Sequence, residues 1–280
     1  MGDIIYGKES ALKLRESIRA GIKKFSGGRP PGLEVIIAGS DPASVYYAGL
    51  IQRAAGKEGI LVNIKQFEEP RTEDVSEYIE ELNRDESVDA ILIQLPLPKN
   101  IDGEIIFDTL SPRKDVDGQT PLNQGRLMTG REGIFPATAR GVIKILETNS
   151  IPIEGKNAVV VGRSATVGIP AAKMLLDRNA TVTVCHSKSR PLENYTGRAD
   201  ILVVSAGRPE LIGPEHVKEG AVVIDVGTNE VEGNMVGDVA IERVLEKASV
   251  SPVIGGVGSL TLALLFENTF EIYKKHINGI

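Results

Sequence analysis

Val159-Val160-Val161-Gly162-Arg163-Ser164-Ala165-Thr166-Val167-Gly168-Ile169-Pro170 has the residue types and order of a phosphate-binding turn. An apolar run ends at a glycine, passes through short polar residues to a second glycine, and enters a helix-like segment with Pro170 in its first turn. That order aims backbone N–H groups and the positive end of a helix dipole at a bound phosphate. Gly162, Arg163, Ser164 and Gly168 are therefore candidate dinucleotide contacts. Their spacing departs from Gly-x-Gly-x-x-Gly, and by itself it also fits a structural strand-to-helix turn. The next apolar run ends in Cys185-His186-Ser187-Lys188-Ser189-Arg190. NAD-binding units usually carry an Asp or Glu there for the ribose hydroxyls. Here Ser187, Lys188 and Arg163 can bond or neutralise a 2′-phosphate instead, which favours NADP, with NAD as the alternative. Lys188 and Arg190 read equally well as solvated loop residues.

The first half of the chain offers other groups. Gln94 lies near the C-terminal end of an apolar run at residues 90–95, where open α/β sheets face their ligands. A hydrogen-bonded core amide is the plainer reading. Asp117 precedes Gly118 and fits a turn aspartate as well as a ligand contact. Tyr47 fits a core aromatic on its helix. Lys114-Asp115 could serve as the Lys-Asp pair of a two-domain dehydrogenase for a small hydroxy or amino acid.

These residues need a scaffold, and the apolar pattern supplies one. Strand-like runs at 33–38, 61–66 and 90–95 alternate with helix-like segments at 42–57 and 72–83. Asp41 caps the first helix, Pro42 sits in its first turn and Gly59 stops it. Residues 113–123 read as a polar loop, 137–147 as a helix and 149–155 as a connector. A second series of strands follows at 158–161, 181–185, 201–205 and 221–226, and a long helix at 259–275 closes the chain. Alternating β and α segments predict parallel sheets with helices on their faces.

Composition narrows the functions. The chain has 280 residues, 41% of them hydrophobic, which suffices for two domains. A net charge of −6 argues against a nucleic-acid or anionic-membrane surface. One cysteine, Cys185, excludes an internal disulfide framework, and three scattered histidines argue against a zinc site; no metal is expected. The N-terminal residues carry no signal-peptide pattern and no run is long enough to span a bilayer, so a soluble cytoplasmic protein is expected.

Several motifs, taken in order, resemble one family. They are Gln94-Leu95-Pro96-Leu97-Pro98, Lys114-Asp115-Val116-Asp117-Gly118, Pro121-Leu122-Asn123-Gln124-Gly125-Arg126-Leu127, the run Ala180 to Ser187, Gly237-Asp238-Val239, and Gly255-Gly256-Val257-Gly258-Ser259-Leu260-Thr261. Together they resemble the bifunctional 5,10-methylenetetrahydrofolate dehydrogenase / 5,10-methenyltetrahydrofolate cyclohydrolase family of one-carbon metabolism over nearly the whole chain. The resemblance implies an α/β fold of two domains with a cleft between them. The folate-binding catalytic domain would take 1–136 and 262–280, and a Rossmann-like NADP-binding domain 137–261. It implies a homodimer and a tetrahydrofolate derivative as substrate. It also implies Tyr47, Gln94 and Asp117 as catalytic and folate-binding residues, Asp117 on the pterin, with Gly255 and Gly256 near the substrate and Thr228 near the cofactor. A carboxylate suits the pterin because it accepts paired hydrogen bonds from an aminopyrimidine edge.

One departure matters most. The family's helix reads Tyr-x-x-x-Lys, and that lysine is central to the cyclohydrolase step. Aligning Gly39-Ser40-Asp41-Pro42-Ala43-Ser44 with the family's turn puts the tyrosine at Tyr47 and the lysine position at Ile51. Hydride transfer needs aligned carbons rather than a protein base. Hydrolysis benefits from a proton-carrying group by about 100- to 10,000-fold. The expectation is therefore a working dehydrogenase with weak or absent cyclohydrolase activity; a catalytically silent folate-binding protein is the other alternative.

Overall fold

Two parallel sheets form, one from each run of alternating strands and helices. The structure is a computed structural model that describes residues 1–25 and 28–279. Ser26, Gly27 and Ile280, which fall within the expected first domain, lie outside the described residues.

The first compact unit takes Lys13–Phe135 and Leu265–Ile280. Its elements are α1 (Lys8–Lys24, beginning in the other unit), β1 (Gly32–Ala38), α2 (Pro42–Glu58), β2 (Leu61–Phe67), α3 (Thr72–Arg84), β3 (Ala90–Ile93), α4 (Gly103–Thr109) and α5 (Pro121–Met128). The strand order is β2-β1-β3, all parallel. Ile91 bridges to Asp115, so the loop after α4 continues the sheet beyond β3. β1 and β3 are almost wholly buried, and Ile36, Ile91 and Ile93 pack with Val75, Ile79 and Leu82 of α3 and Ile106 of α4.

The expected caps of α2 are present. Asp41 accepts from Ser44 N at 2.8 Å and Gly59 closes the helix at φ 85°. Its inward stripe is Ser44, Ala48, Ile51, Ala55 and Glu58, the spacing of one helical face. Buried Glu58 is answered by Arg15 Nε at 2.7 Å and Arg19 Nε at 2.9 Å, both from α1. Residues 113–120 form the expected loop, but a helix begins at Pro121, where Thr120 is the cap residue and accepts from Asn123 N.

The second unit takes Met1–Leu12 and Pro136–Leu264. It holds α6 (Ala137–Thr148), β4 (Asn157–Val161), α7 (Gly168–Leu176), β5 (Thr181–Cys185), α8 (Glu193–Thr196), β6 (Ile201–Val204), β7 (Val222–Asp225), the hairpin β8 (Asn229–Val231) and β9 (Asn234–Val236), α9 (Ile241–Val244) and β10 (Ser249–Val250). α10 (Val257–Ile277) starts here and ends in the first unit. The sheet order is β10-β7-β6-β4-β5, all parallel. From β4 the chain goes first to one neighbour, β5, and then to the other, β6. This is a topological switch point, and ligands of such sheets bind at the strand ends beside it.

Residues 1–12 group with this second unit, whereas the sequence reading put them with the first. Ile4 bridges to Val250, Ile5 N–H donates to Val250 O at 2.9 Å, and Val250 N–H donates to Asp3 O at 3.0 Å. The segment thus extends the sheet at β10. No local pattern reveals a partner almost 250 positions away.

Candidate functional site

The first unit holds Tyr47, Gln94 and Asp117, three of the residues expected to meet folate. Gln94 follows β3, and its backbone N–H continues the ladder to Ile36 O at 2.9 Å. Its side chain is buried (8% exposed), yet its Nε2 has no hydrogen-bond partner. A buried donor without an acceptor costs about 1–3 kcal/mol, so this amide is suited to a ligand rather than to the core.

Asp117 is half-buried on the loop beyond β3, where its Oδ2 accepts from Gln119 Nε2 at 3.1 Å. The loop is locked by its neighbours. Buried Asp115 accepts from Gln119 N at 2.9 Å, Thr120 N at 2.8 Å, Thr120 Oγ1 at 2.7 Å and Asn123 Nδ2 at 2.9 Å. Gly118 sits at φ 61°, and a Cβ there would fall 2.4 Å from Ile134 O. Tyr47, on α2, is half-buried. Burial, and then the negative charge of Asp117, push its phenol up to about 12. Tyr47 and Asp117 therefore feel each other, and Tyr47 stays a hydroxyl donor at neutral pH.

Lys114 and Asp115 are not free for acid–base work. Lys114 Nζ donates to Leu82 O and Asp85 O, both at 2.6 Å, and desolvation lowers its pKa. Asp115 is spent on its own loop. The reading of this pair as catalytic is corrected: both side chains hold backbone.

Ile51 lies one turn beyond Tyr47 and is wholly buried (0% exposed). The polar neighbours point elsewhere. Gln52 is exposed and donates to Val62 O at 3.2 Å, and Arg53 and Lys57 are exposed. The buried face of α2 thus carries no basic side chain among the described residues.

The second unit builds the candidate nucleotide site at its switch point. Gly162 ends β4 at φ 130°, and a Cβ would fall 2.4 Å from Ser205 O. A Cβ on Gly168 would fall 2.3 Å from Gly162 O, so both glycines are required for the turn to close. The Ser164 hydroxyl accepts from Val167 N at 3.2 Å and Gly168 N at 3.3 Å. Ser164 thereby uses helix-start N–H groups that the sequence reading offered to a phosphate.

A cavity of about 380 Å³ opens beside this turn. Arg163, Arg190 and Arg208 line it, with His186, Ser187 and Ser189 from the turn after β5 and apolar Val161 and Leu192. Ser164, Gly168, Lys188 and Thr228 are not among its lining residues. Lys188 N donates to His186 Nδ1 at 3.1 Å, which tightens that turn, and the Thr228 side chain is exposed after β7.

Arg208 was missed from sequence, and its support, Asp238, was singled out there only as part of the motif Gly237-Asp238-Val239. Buried Asp238 accepts from Ala206 N at 2.6 Å, Gly207 N at 3.0 Å and Arg208 N at 2.8 Å, fixing the turn after β6. Asp225 in turn accepts from Gly227 N at 2.9 Å, Asp238 N at 3.1 Å and Val239 N at 3.1 Å, and burial pushes it up to about 6. The signal available in sequence was position alone: Gly207-Arg208 follows a strand beside the switch point.

Gly255 and Gly256, expected near the substrate, also belong to this unit. Gly255 O accepts from Gly7 N at 2.8 Å and Lys8 N at 3.1 Å, at the start of α1. A Cβ on Gly256 would meet Pro252 O at 2.1 Å. Close packing thus requires glycine at 256, whereas at 255 it is the backbone, at φ 87°, that favours glycine. Among the described residues no group of three or more His, Cys, Asp or Glu side chains could hold a metal ion.

A parallel sheet with a glycine turn and a basic cavity at its switch point, next in sequence to a second parallel α/β unit, defines an α/β protein of the dinucleotide-binding class. Two family models extend this to the whole chain. Tetrahydrofolate dehydrogenase/cyclohydrolase, catalytic domain, matches residues 5–117, and the NAD(P)-binding domain of the same family matches residues 136–277. The chain belongs to the tetrahydrofolate dehydrogenase/cyclohydrolase family. It is 47% identical to the bifunctional protein FolD of Halothermothrix orenii, over 99% of each chain. Among solved structures it is similar to the bifunctional FolD methylenetetrahydrofolate dehydrogenase/cyclohydrolase of Campylobacter jejuni, with TM-score 0.95, 40% identity and coverage of 98% of this chain and 99% of the other. The Trypanosoma brucei enzyme complexed with NADP and an inhibitor matches with TM-score 0.93, 34% identity and 98% coverage of each chain.

Proposed function

We propose that this protein is an NADP-dependent 5,10-methylenetetrahydrofolate dehydrogenase of one-carbon metabolism, with 5,10-methenyltetrahydrofolate cyclohydrolase activity weak or absent. In the reaction a hydride leaves the methylene bridge of the folate, which becomes the cyclic methenyl cation. NADP supplies the hydride acceptor, and the glycine turn and basic cavity of the second unit suit it. The folate's own nitrogens spread the positive charge, so the protein need only bind and orient. Asp117 accepts hydrogen bonds from the pterin's aminopyrimidine edge. Tyr47, held protonated, donates, and so does the Gln94 amide. The unspent buried Nε2 of Gln94 is the observation that carries this reading.

The weak hydrolysis rests on Ile51. Water addition and ring opening require protons to move, and Ile51 can neither accept nor deliver one. One preparation tests both activities: appearance of reduced nicotinamide with methylenetetrahydrofolate, and loss of methenyltetrahydrofolate by hydrolysis. Oxidation should proceed with NADP, and hydrolysis should lag by about 100-fold or more. A protein inert toward methylenetetrahydrofolate with either NADP or NAD would sink the dehydrogenase reading and favour a silent folate binder.

The protein is further expected to be a cytoplasmic homodimer. Among the described residues no helix is long and apolar enough to cross a membrane. β2 lies at a sheet edge with Leu61 64% exposed, which suits pairing with a second copy. Light scattering that returns the mass of a single chain would refute the dimer.

A further inference from the structure

The cavity at the switch point draws its charge from three strand ends, only one of which carries the glycine motif. Arg163 follows β4, Arg190 follows β5 and Arg208 follows β6. None of the three has a carboxylate partner among the described residues, and no acidic side chain lines the cavity. Unpaired like charges around one concavity repel one another and raise the local affinity for an anion. A ribose hydroxyl gains little from such a field, whereas a phosphate dianion gains much.

The backbone from which the Arg208 side chain leaves is fixed. Asp238, itself fully buried, clamps the three successive N–H groups of Ala206, Gly207 and Arg208, and its Oδ1 also accepts from Asn229 Nδ2 at 2.9 Å. The guanidinium therefore leaves a fixed backbone on the β6 side of a cavity that Arg190 also lines. Its planar fork matches the oxygens of a phosphate.

We propose that Arg208 is a specificity-determining residue that, together with Arg190, binds the ribose 2′-phosphate of NADP, and that Asp238 is the positioning residue that aims it. The inference rests on the reading of the second unit as an NADP site and deepens it. Cofactor preference is then set from both sides of the switch point, not only by the residues after β4 and β5.

The test compares adenosine 2′,5′-bisphosphate with adenosine 5′-monophosphate by calorimetric titration of the full chain, alongside KM and kcat with NADP and NAD. The side chain is exposed, so Arg208→Gln leaves the core untouched. It should weaken the bisphosphate and raise KM for NADP by about 10-fold or more, the loss of one charge-assisted contact. The monophosphate and the KM for NAD should be affected about 10-fold less than the bisphosphate and the KM for NADP, and Arg208→Lys should recover part of the loss. Equal weakening of both ligands, or of neither, overturns the proposal while the NADP reading stands. Wild-type protein that binds the monophosphate as tightly as the bisphosphate overturns both.

Discussion

Replacing Ile51 with lysine sets two effects against each other, and both can be sized. The side chain is wholly excluded from water. Burying an isoleucine contributes about 1.5–3 kcal/mol, of which the lysine stem retains a part. The ammonium is the larger problem. Keeping it neutral at about pH 7 means sitting roughly 3.4 units below its ordinary value near 10.4, which costs about 4.6 kcal/mol. Keeping it charged without a partner costs more, unless the carboxylate of Asp117, whose charge already reaches Tyr47 one turn away, offsets it. Ile51→Lys should therefore lose about 3–5 kcal/mol of stability. The lysine's pKa would be lower folded than unfolded, so the unfolded chain binds more protons over roughly pH 7 to 10, and the deficit shrinks as pH rises. Urea midpoints across that range measure it. The same variant should hydrolyse methenyltetrahydrofolate about 100-fold faster than wild type, because a proton carrier has been supplied. A deficit below about 1 kcal/mol with no pH slope would show that a side chain at 51 reaches water or an acid, and the burial argument fails. Wild-type hydrolysis as fast as oxidation would refute the functional half.

Three further outcomes follow from other buried groups. Asp225 is held at about 6 against an ordinary 3.8, so its contribution to stability is present below about pH 4 and is lost as pH rises through about 6, roughly 3 kcal/mol in all; Asp225→Asn should flatten that decline in paired urea titrations. Asp89, whose side chain is 0% exposed, accepts from Arg29 at 2.6 and 2.8 Å and from Gly32 N at 2.7 Å, and lies 2.7 Å from His276 Nδ1. Asp89→Asn should cost about 3–5 kcal/mol, read as a lower thermal midpoint. Gly162→Ala places a methyl 2.4 Å from Ser205 O at φ 130°, so calorimetry should find NADP binding abolished; retained affinity would mean the turn does not shape the site.

The legible parts of the chain are those where chemistry is local. Asp41, Pro42 and Gly59 bound α2 because capping needs only neighbours within one turn. The glycines of the 162–168 turn follow a buried strand, and the alternation of apolar runs yields both parallel sheets. The less legible parts lack such signals. Residues 8–24, unassigned from sequence, form α1, whose Arg15 and Arg19 serve a glutamate on another helix. α4 and the β8–β9 hairpin are short, and α5 begins inside a stretch whose polar residues look like a loop.

Among the site residues, the sequence by itself determined the family motifs, the glycine turn, the lack of a carboxylate after β5 and the presence of isoleucine at 51. Each of these is a matter of residue type at a position. Only the tertiary structure decided direction and partnership. Ser164 turns back to its helix, Lys114 and Asp115 are consumed by backbone, residues 1–12 join the sheet of the second unit, and Arg208 reaches the cavity with Arg163 and Arg190. The physical reason is that a side chain's charge and hydrogen-bonding capacity are written in its identity, whereas the group that uses them is brought near by packing between segments far apart in the chain.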